Sequence, residues 1–201
     1  MTGMAASRPD VIAYRLAPRS TGLIGSLLLV VVGVAVIAAA AQVRIPLPFT
    51  PVPLSGQTFA VLLVGAGIGA HLGLAATAAY VVLGAVGLPI YTGAGAGFEH
   101  LSGPTGGYLV GFIAAAYIAG RMAERRYDRR VVSALVGMAV ASTVIYVFGA
   151  SWLVLSLGMD VPTAVQQGIA PFVIGDVIKA ALAAGLLPAA WKLVAPARAE
   201  G

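Results

Sequence analysis

No cysteine occurs among the 201 residues, which excludes disulfides, thiolate nucleophiles and thiolate metal sites. Charge is nearly as scarce. Only 9% of residues are Asp, Glu, Lys or Arg, against about 25% in an ordinary soluble domain. So few ionic groups cannot cover a water-facing surface, so a soluble globule, a disordered chain and a nucleic-acid binder are all excluded, despite a net charge of +5. His71 and His100 are the only histidines, and neither has a second ligand at metal-binding spacing. No glycine-rich loop ending in Lys-Ser or Lys-Thr occurs, so the chain does not itself hydrolyse ATP. No cofactor is expected.

What fills the space is apolar: 60% of residues are hydrophobic, and the mean hydropathy is +0.97. The apolar runs are continuous and rich in Ala, Val, Leu and Gly. A membrane β-barrel would instead alternate with period two. At about 20 residues per crossing, the length accommodates an all-α membrane protein with six transmembrane helices. The runs are 23–41, 57–69, 71–88, 108–120, 131–157 and 169–194. The first is preceded by Arg8, Arg15 and Arg19 and would span roughly 28 Å as a helix. It is longer than the core of a signal peptide, which predicts a retained helix.

The interruptions are equally informative. Residues 42–56 hold Pro46, Pro48, Pro51 and Pro53 and favour extended backbone. Gly65, Gly67 and Gly69 mark a tight turn between the second and third runs. Residues 89–107 are glycine-rich and predict irregular chain, and 158–168 (GMDVPTAVQQG) predict a polar link. The expected organisation is a cytoplasmic N-terminal segment at 1–21, a single six-helix membrane domain at 22–195 and a cytoplasmic tail at 196–201. Cytoplasmic loops carry excess Lys and Arg. With the N-terminus inside, six crossings place the turn near Gly69, the Arg121–Arg130 stretch and the C-terminus inside as well. The outer loops then keep only Arg44, Glu99, His100 and Asp160, so both termini are expected to be cytoplasmic.

Ionisable groups within a membrane segment cost about 2.5–3.5 kcal/mol on insertion scales and mark function. One such place exists, Asp176 and Lys179 in the last run. Three residues apart, they share one helix face. They suit either a register-fixing ion pair or a ligand clasp in which a carboxylate accepts N–H donors and an ammonium meets an acceptor. The stretch Gly103–Tyr108 stands at the outer entry to the fourth run. There Thr105, Gly106 and Tyr108 combine close backbone approach, helix-start N–H groups and an aromatic hydroxyl. Phe59, Phe98, Phe112, Trp152 and Phe172 are packing aromatics, one or two of which line an apolar pocket. Ala35 with Ala39, and Ala181 with Gly185, are small pairs suited to close helix packing or to partner docking.

Several strings together resemble one family. They are Thr50-Pro51-Val52-Pro53-Leu54-Ser55-Gly56-Gln57-Thr58-Phe59, Leu83-Gly84-Ala85-Val86-Gly87-Leu88-Pro89, Gly103 to Phe112, and Gly175-Asp176-x-x-Lys179. In this order the chain resembles the BioY family, the biotin-binding S components of energy-coupling factor (ECF) transporters, from about residue 22 to 194. The resemblance implies six membrane helices in the cytoplasmic (inner) membrane of a prokaryote, and a vitamin pocket near the outer side, capped by external loops. It implies biotin binding by Asp176 and Lys179, with Tyr108, Thr105, Gly106 and Gln57 beside them. It also implies a coupling transmembrane subunit docked on small residues of the first helix, for which Ala35 and Ala39 qualify, and two ABC-type ATPase subunits. The stretch Gly97–Ser102 departs from the family pattern, and its Glu99 would repel a ligand carboxylate. Three other readings stay open on the residues alone. They are an S component for another vitamin or a biotin precursor, a proton-coupled secondary transporter using Asp176 as relay, and a membrane enzyme, for which the one nucleophile–base pair, Ser102 with His100, lacks an orienting carboxylate beyond Glu99.

Overall fold

A computed structural model describes residues 10–16 and 22–194. Arg8, Arg19 and the 196–201 tail with Arg198 lie outside the described residues. The chain is mostly helical: α1 (Ile12–Leu16), α2 (Leu23–Gln42), α3 (Gln57–Ile68), α4 (Ala70–Ala85), α5 (Gly97–Ser102), α6 (Gly106–Glu124), α7 (Val131–Leu157), α8 (Val161–Gly168) and α9 (Ala170–Val194). A two-stranded antiparallel hairpin, β1 (Arg44–Ile45) and β2 (Leu54–Ser55), joins α2 to α3, with Arg44 opposite Ser55. Among the described residues four stretches are long and apolar enough to cross a membrane: α2, α6, α7 and the continuous Val161–Val194 formed by α8 and α9. The shorter apolar helices α3 and α4 complete the bundle.

Without a strong hydrophobic drive between helices in lipid, association rests on close packing, which small residues permit. Here α6 is the central helix. It buries Gly106, Gly107, Gly111, Ala115, Ala116, Ala119, Gly120 and Ala123, and α3, α4 and α7 pack around it. The backbones meet directly. A Cβ on Gly120 would lie 2.5 Å from the Ala70 Cα and 2.6 Å from the Gly69 carbonyl carbon, and one on Gly73 would lie 2.8 Å from the Gly65 Cα. By contrast α2 is peripheral and buries only Gly33, Ile37 and Ala41.

Local structure departs from the sequence reading in three places. Of the three glycines expected at the α3–α4 turn, only Gly69 makes it, with φ of 91°. Gly65 and Gly67 lie inside α3. The glycine-rich stretch contains α5, and α6 begins at Gly106 rather than Tyr108. The polar link folds as α8, because the Asp160 carboxylate accepts from the Thr163 N–H (3.1 Å) and Pro162 occupies the first turn.

At the end of the bundle away from the hairpin, α1 packs on α3 and α9, with Val11 and Ala13 buried. Asp10 pairs with Arg15 (3.0 Å) and Arg129 (2.7 Å), and the Arg129 guanidinium lies 3.5 Å over the Trp191 ring. Trp191 Nε1 donates to buried Asp128. Burial pushes the Asp128 carboxyl above its usual range, opposed by Trp191 and the Arg129 charge.

Two glycines separate close packing from composition. Gly120→Ala should destabilise the folded protein by about 1–3 kcal/mol, because backbone must shift to admit the methyl. Gly67→Ala meets nothing within 4 Å and should leave stability unchanged, or raise it by about 0.5–1 kcal/mol through helix propensity. Thermal unfolding of both variants in one detergent checks the contrast.

Candidate ligand-binding site

The strongest site is a cavity of about 530 Å³, counting its opening, where the hairpin, α3, α6, α7 and α9 converge. Most of its wall is apolar: Val52 and Leu54 from the hairpin, Leu109 and Phe112 from α6, Ile145 from α7 and Phe172 from α9. One polar cluster interrupts it. Lys179 Nζ lies 2.8 Å from Asp176 Oδ1 and donates to Thr58 Oγ1 at 3.0 Å. The Thr58 hydroxyl donates to Asp176 Oδ1 at 3.1 Å, and the Tyr146 hydroxyl donates to Oδ2 at 2.6 Å. Asp176 is 8% exposed, so its charge is met by three donors from three helices rather than by solvent.

A second polar chain frames the upper wall. Gln57 Nε2 donates to the Tyr80 hydroxyl (2.7 Å), which donates to the Ile90 carbonyl (3.1 Å). Gln57 Oε1 accepts from Thr92 (2.6 Å) and Ser55 (3.0 Å). The amide is thereby held between the hairpin, α4 and the 89–96 loop. Nearby, Tyr91 stacks on His100 with centroids 5.0 Å apart, and its hydroxyl donates to the Val81 carbonyl.

The sequence candidates divide accordingly. Asp176, Lys179, Tyr108, Thr105 and Gln57 all line the one cavity. Tyr108 contributes its ring, since its hydroxyl donates to the Gly168 carbonyl at 2.6 Å and ties α6 to the end of α8. Gln57 has its polar atoms engaged within the protein and holds the wall. Gly106 is not among the cavity-lining residues. Its N–H donates to the Gly103 carbonyl at 3.1 Å, and its missing side chain lets the backbone meet the Leu101 carbonyl and the Trp152 ring. It is a packing glycine, and its N–H is not free for a ligand. Of the five aromatics, Phe112 and Phe172 line the cavity and Phe59, Phe98 and Trp152 do not. Ala35 and Ala39 are exposed on the outer face of α2.

Sequence reasoning missed Thr58, Tyr146, Thr92 and His100. Thr58 sits beside Gln57 in the proline-rich string, and Tyr146 is a hydroxyl in the middle of a long apolar run, a signal of the same kind as Asp176. Nothing local marks Thr92 or His100. They reach the cavity only because the 89–96 loop and α5 fold back over it.

Comparison with known proteins agrees with this architecture. The BioY family model matches residues 13–196. A probable biotin transporter BioY of Pyrococcus horikoshii is 37% identical over 155 residues, 77% of this chain and 89% of that one. The biotin transporter BioY of Thermotoga maritima is 38% identical over 143 residues, 70% and 81% of the two chains. A crystal structure of the S-component for biotin from an ECF-type ABC transporter superposes with a TM-score of 0.77 at 24% identity, covering 84% of this chain and 92% of that one. The fold is therefore that of an S component, several helices are fit to span a bilayer, and the chain belongs to the BioY family of prokaryotic membrane proteins.

Proposed function

We propose that this chain captures biotin in the Asp176–Lys179 cavity, as the substrate-binding S component of an ECF transporter in the cytoplasmic membrane. The observation that carries the reading is the single ion-paired cluster, Asp176 with Lys179, in a cavity whose wall is mostly apolar. Biotin has the matching polarity: a cyclic urea at one end, and a thiophane ring and aliphatic chain beyond it. Asp176 has about four acceptor sites, of which protein donors take three. One ureido N–H takes the remaining site, the second meets the Tyr146 hydroxyl oxygen, and Lys179 donates to the ureido carbonyl. The sulfur ring and chain pack on Leu109, Phe112, Ile145 and Phe172.

Six crossings with both termini cytoplasmic fit the charge distribution. Arg15, Arg121, Arg125, Arg126, Arg129 and Arg130 gather at the end away from the cavity, while Arg44, Glu99 and Asp160 occupy the other end. As helices, α3 and α4 are about 18 and 24 Å long, short of a hydrocarbon core of about 30 Å. Non-helical backbone is tolerated at membrane depth where it lines a cavity, and the hairpin that continues α3 does so. The cavity then lies in the outer half of the membrane and faces the exterior. The exposed Ala35/Ala39 face of α2 docks the coupling membrane subunit, and two ABC-type ATPases supply the hydrolysis. The remaining apolar surface meets lipid.

Purified protein in detergent, without ATP or partners, should bind labelled biotin saturably and one-to-one, and no binding by folded protein would overturn the reading. Asp176→Asn should weaken binding about 10- to 100-fold through loss of a charge-assisted bond. Normal affinity in that variant would leave the Asp176–Lys179 pair as a packing device. Ala39→Leu should keep biotin affinity and abolish co-purification of the coupling subunit. Uptake that survives ATP depletion but collapses with the proton gradient would favour the secondary-transporter reading instead.

A further inference from the structure

Above the main cavity lies a second, more open one, and the two share Pro53, Thr92, His100 and Thr105 as common wall. This outer vestibule holds three groups of possible charge: Arg44, Glu99 and His100. Arg44 lies on β1 directly opposite Ser55. Cross-strand partners in an antiparallel pair project from the same face, and Ser55 lines the inner cavity. The guanidinium rests on Gly93, where a Cβ would come within 2.9 Å of its Nε, one residue from the shared wall at Thr92. Among the described residues no carboxylate lies within ion-pair distance of Arg44, although Glu99 lines the same vestibule.

The other cations nearby are committed. Lys179 is neutralised by Asp176 at 2.8 Å. His100 lies stacked on Tyr91, and burial holds its imidazole below the usual range, so it is neutral at physiological pH. A ligand that places its urea on Asp176 and Lys179 and runs its chain past Thr105 and Thr92 delivers its far end into the vestibule. If that end is a carboxylate, it meets one unneutralised cation and one like charge.

Resting on the biotin reading above, we propose that Arg44 is the specificity-determining counter-ion for the substrate's carboxylate, so that the site selects the free acid over neutral or amide-linked forms of the same ring system. Glu99 opposes the same carboxylate and sets an upper bound on the preference.

The test is equilibrium binding of labelled biotin to the purified full-length chain, competed by biotin or by biotin methyl ester, which keeps ring and chain but has no charge. The parent should prefer the acid, with a preference that shrinks as salt rises. Arg44→Gln should weaken the acid about tenfold and leave the ester unchanged, Arg44→Lys should retain most of the preference, and Glu99→Gln should tighten the acid alone. Equal weakening of acid and ester by Arg44→Gln, or no change in either, would overturn the assignment while leaving biotin capture intact. Failure of the parent to bind either compound would overturn biotin capture itself and the Arg44 assignment with it.

Discussion

A buried carboxylate in an apolar bundle needs fixed donors to meet its charge, and the packing of the helices around the site answers to that constraint. Asp176 is held by Lys179 from its own helix, Thr58 from α3 and Tyr146 from α7. Those donors sit on separate helices, so the carboxylate is stable only if α3, α7 and α9 approach together at that level. The glycines and alanines of α6 make the approach feasible by letting α3, α4 and α7 close on a narrow central rod. Packing and chemistry are therefore one requirement, since widening the bundle would strand a buried charge.

The outer wall solves a different problem. A hairpin and a glycine-rich loop expose backbone that a helix would satisfy internally. Gln57 joins them, linked through Ser55 to β2, through Tyr80 to α4 and the Ile90 carbonyl, and through Thr92 to the 89–96 loop. Its amide nitrogen can only donate and its oxygen only accept, so the direction of each bond in the chain is set. A ligand meets a wall organised before it arrives, which lowers the ordering cost of binding.

Much of this was legible in the sequence because it is periodic or electrostatic. The long apolar runs and the 176/179 spacing report directly on helices and on a shared face. Thr58 and Tyr146 were not legible as ligands of Asp176, because their convergence is a property of tertiary packing and no spacing along the chain encodes it. α8 was misread for a different reason. Its composition is that of a loop, yet Asp160 with Pro162 two residues later is a helix-start signature that outweighs polarity. At Gly106 the close backbone approach that a glycine permits is made to the protein itself, since the space that it leaves is taken by the Leu101 carbonyl and the Trp152 ring.

α9 carries Asp176 near one end and Trp191 near the other, fifteen positions apart or about 22 Å along the axis. Asp176 is bonded to α3 and α7, while Trp191 is bonded to Asp128 and lies beneath Arg129 in the loop between α6 and α7. The helix thus works as a beam pinned at both ends. Any rearrangement of the donors around Asp176 that tilts α9 is therefore opposed at the far end too, where a swing has to break the bond between Trp191 and Asp128.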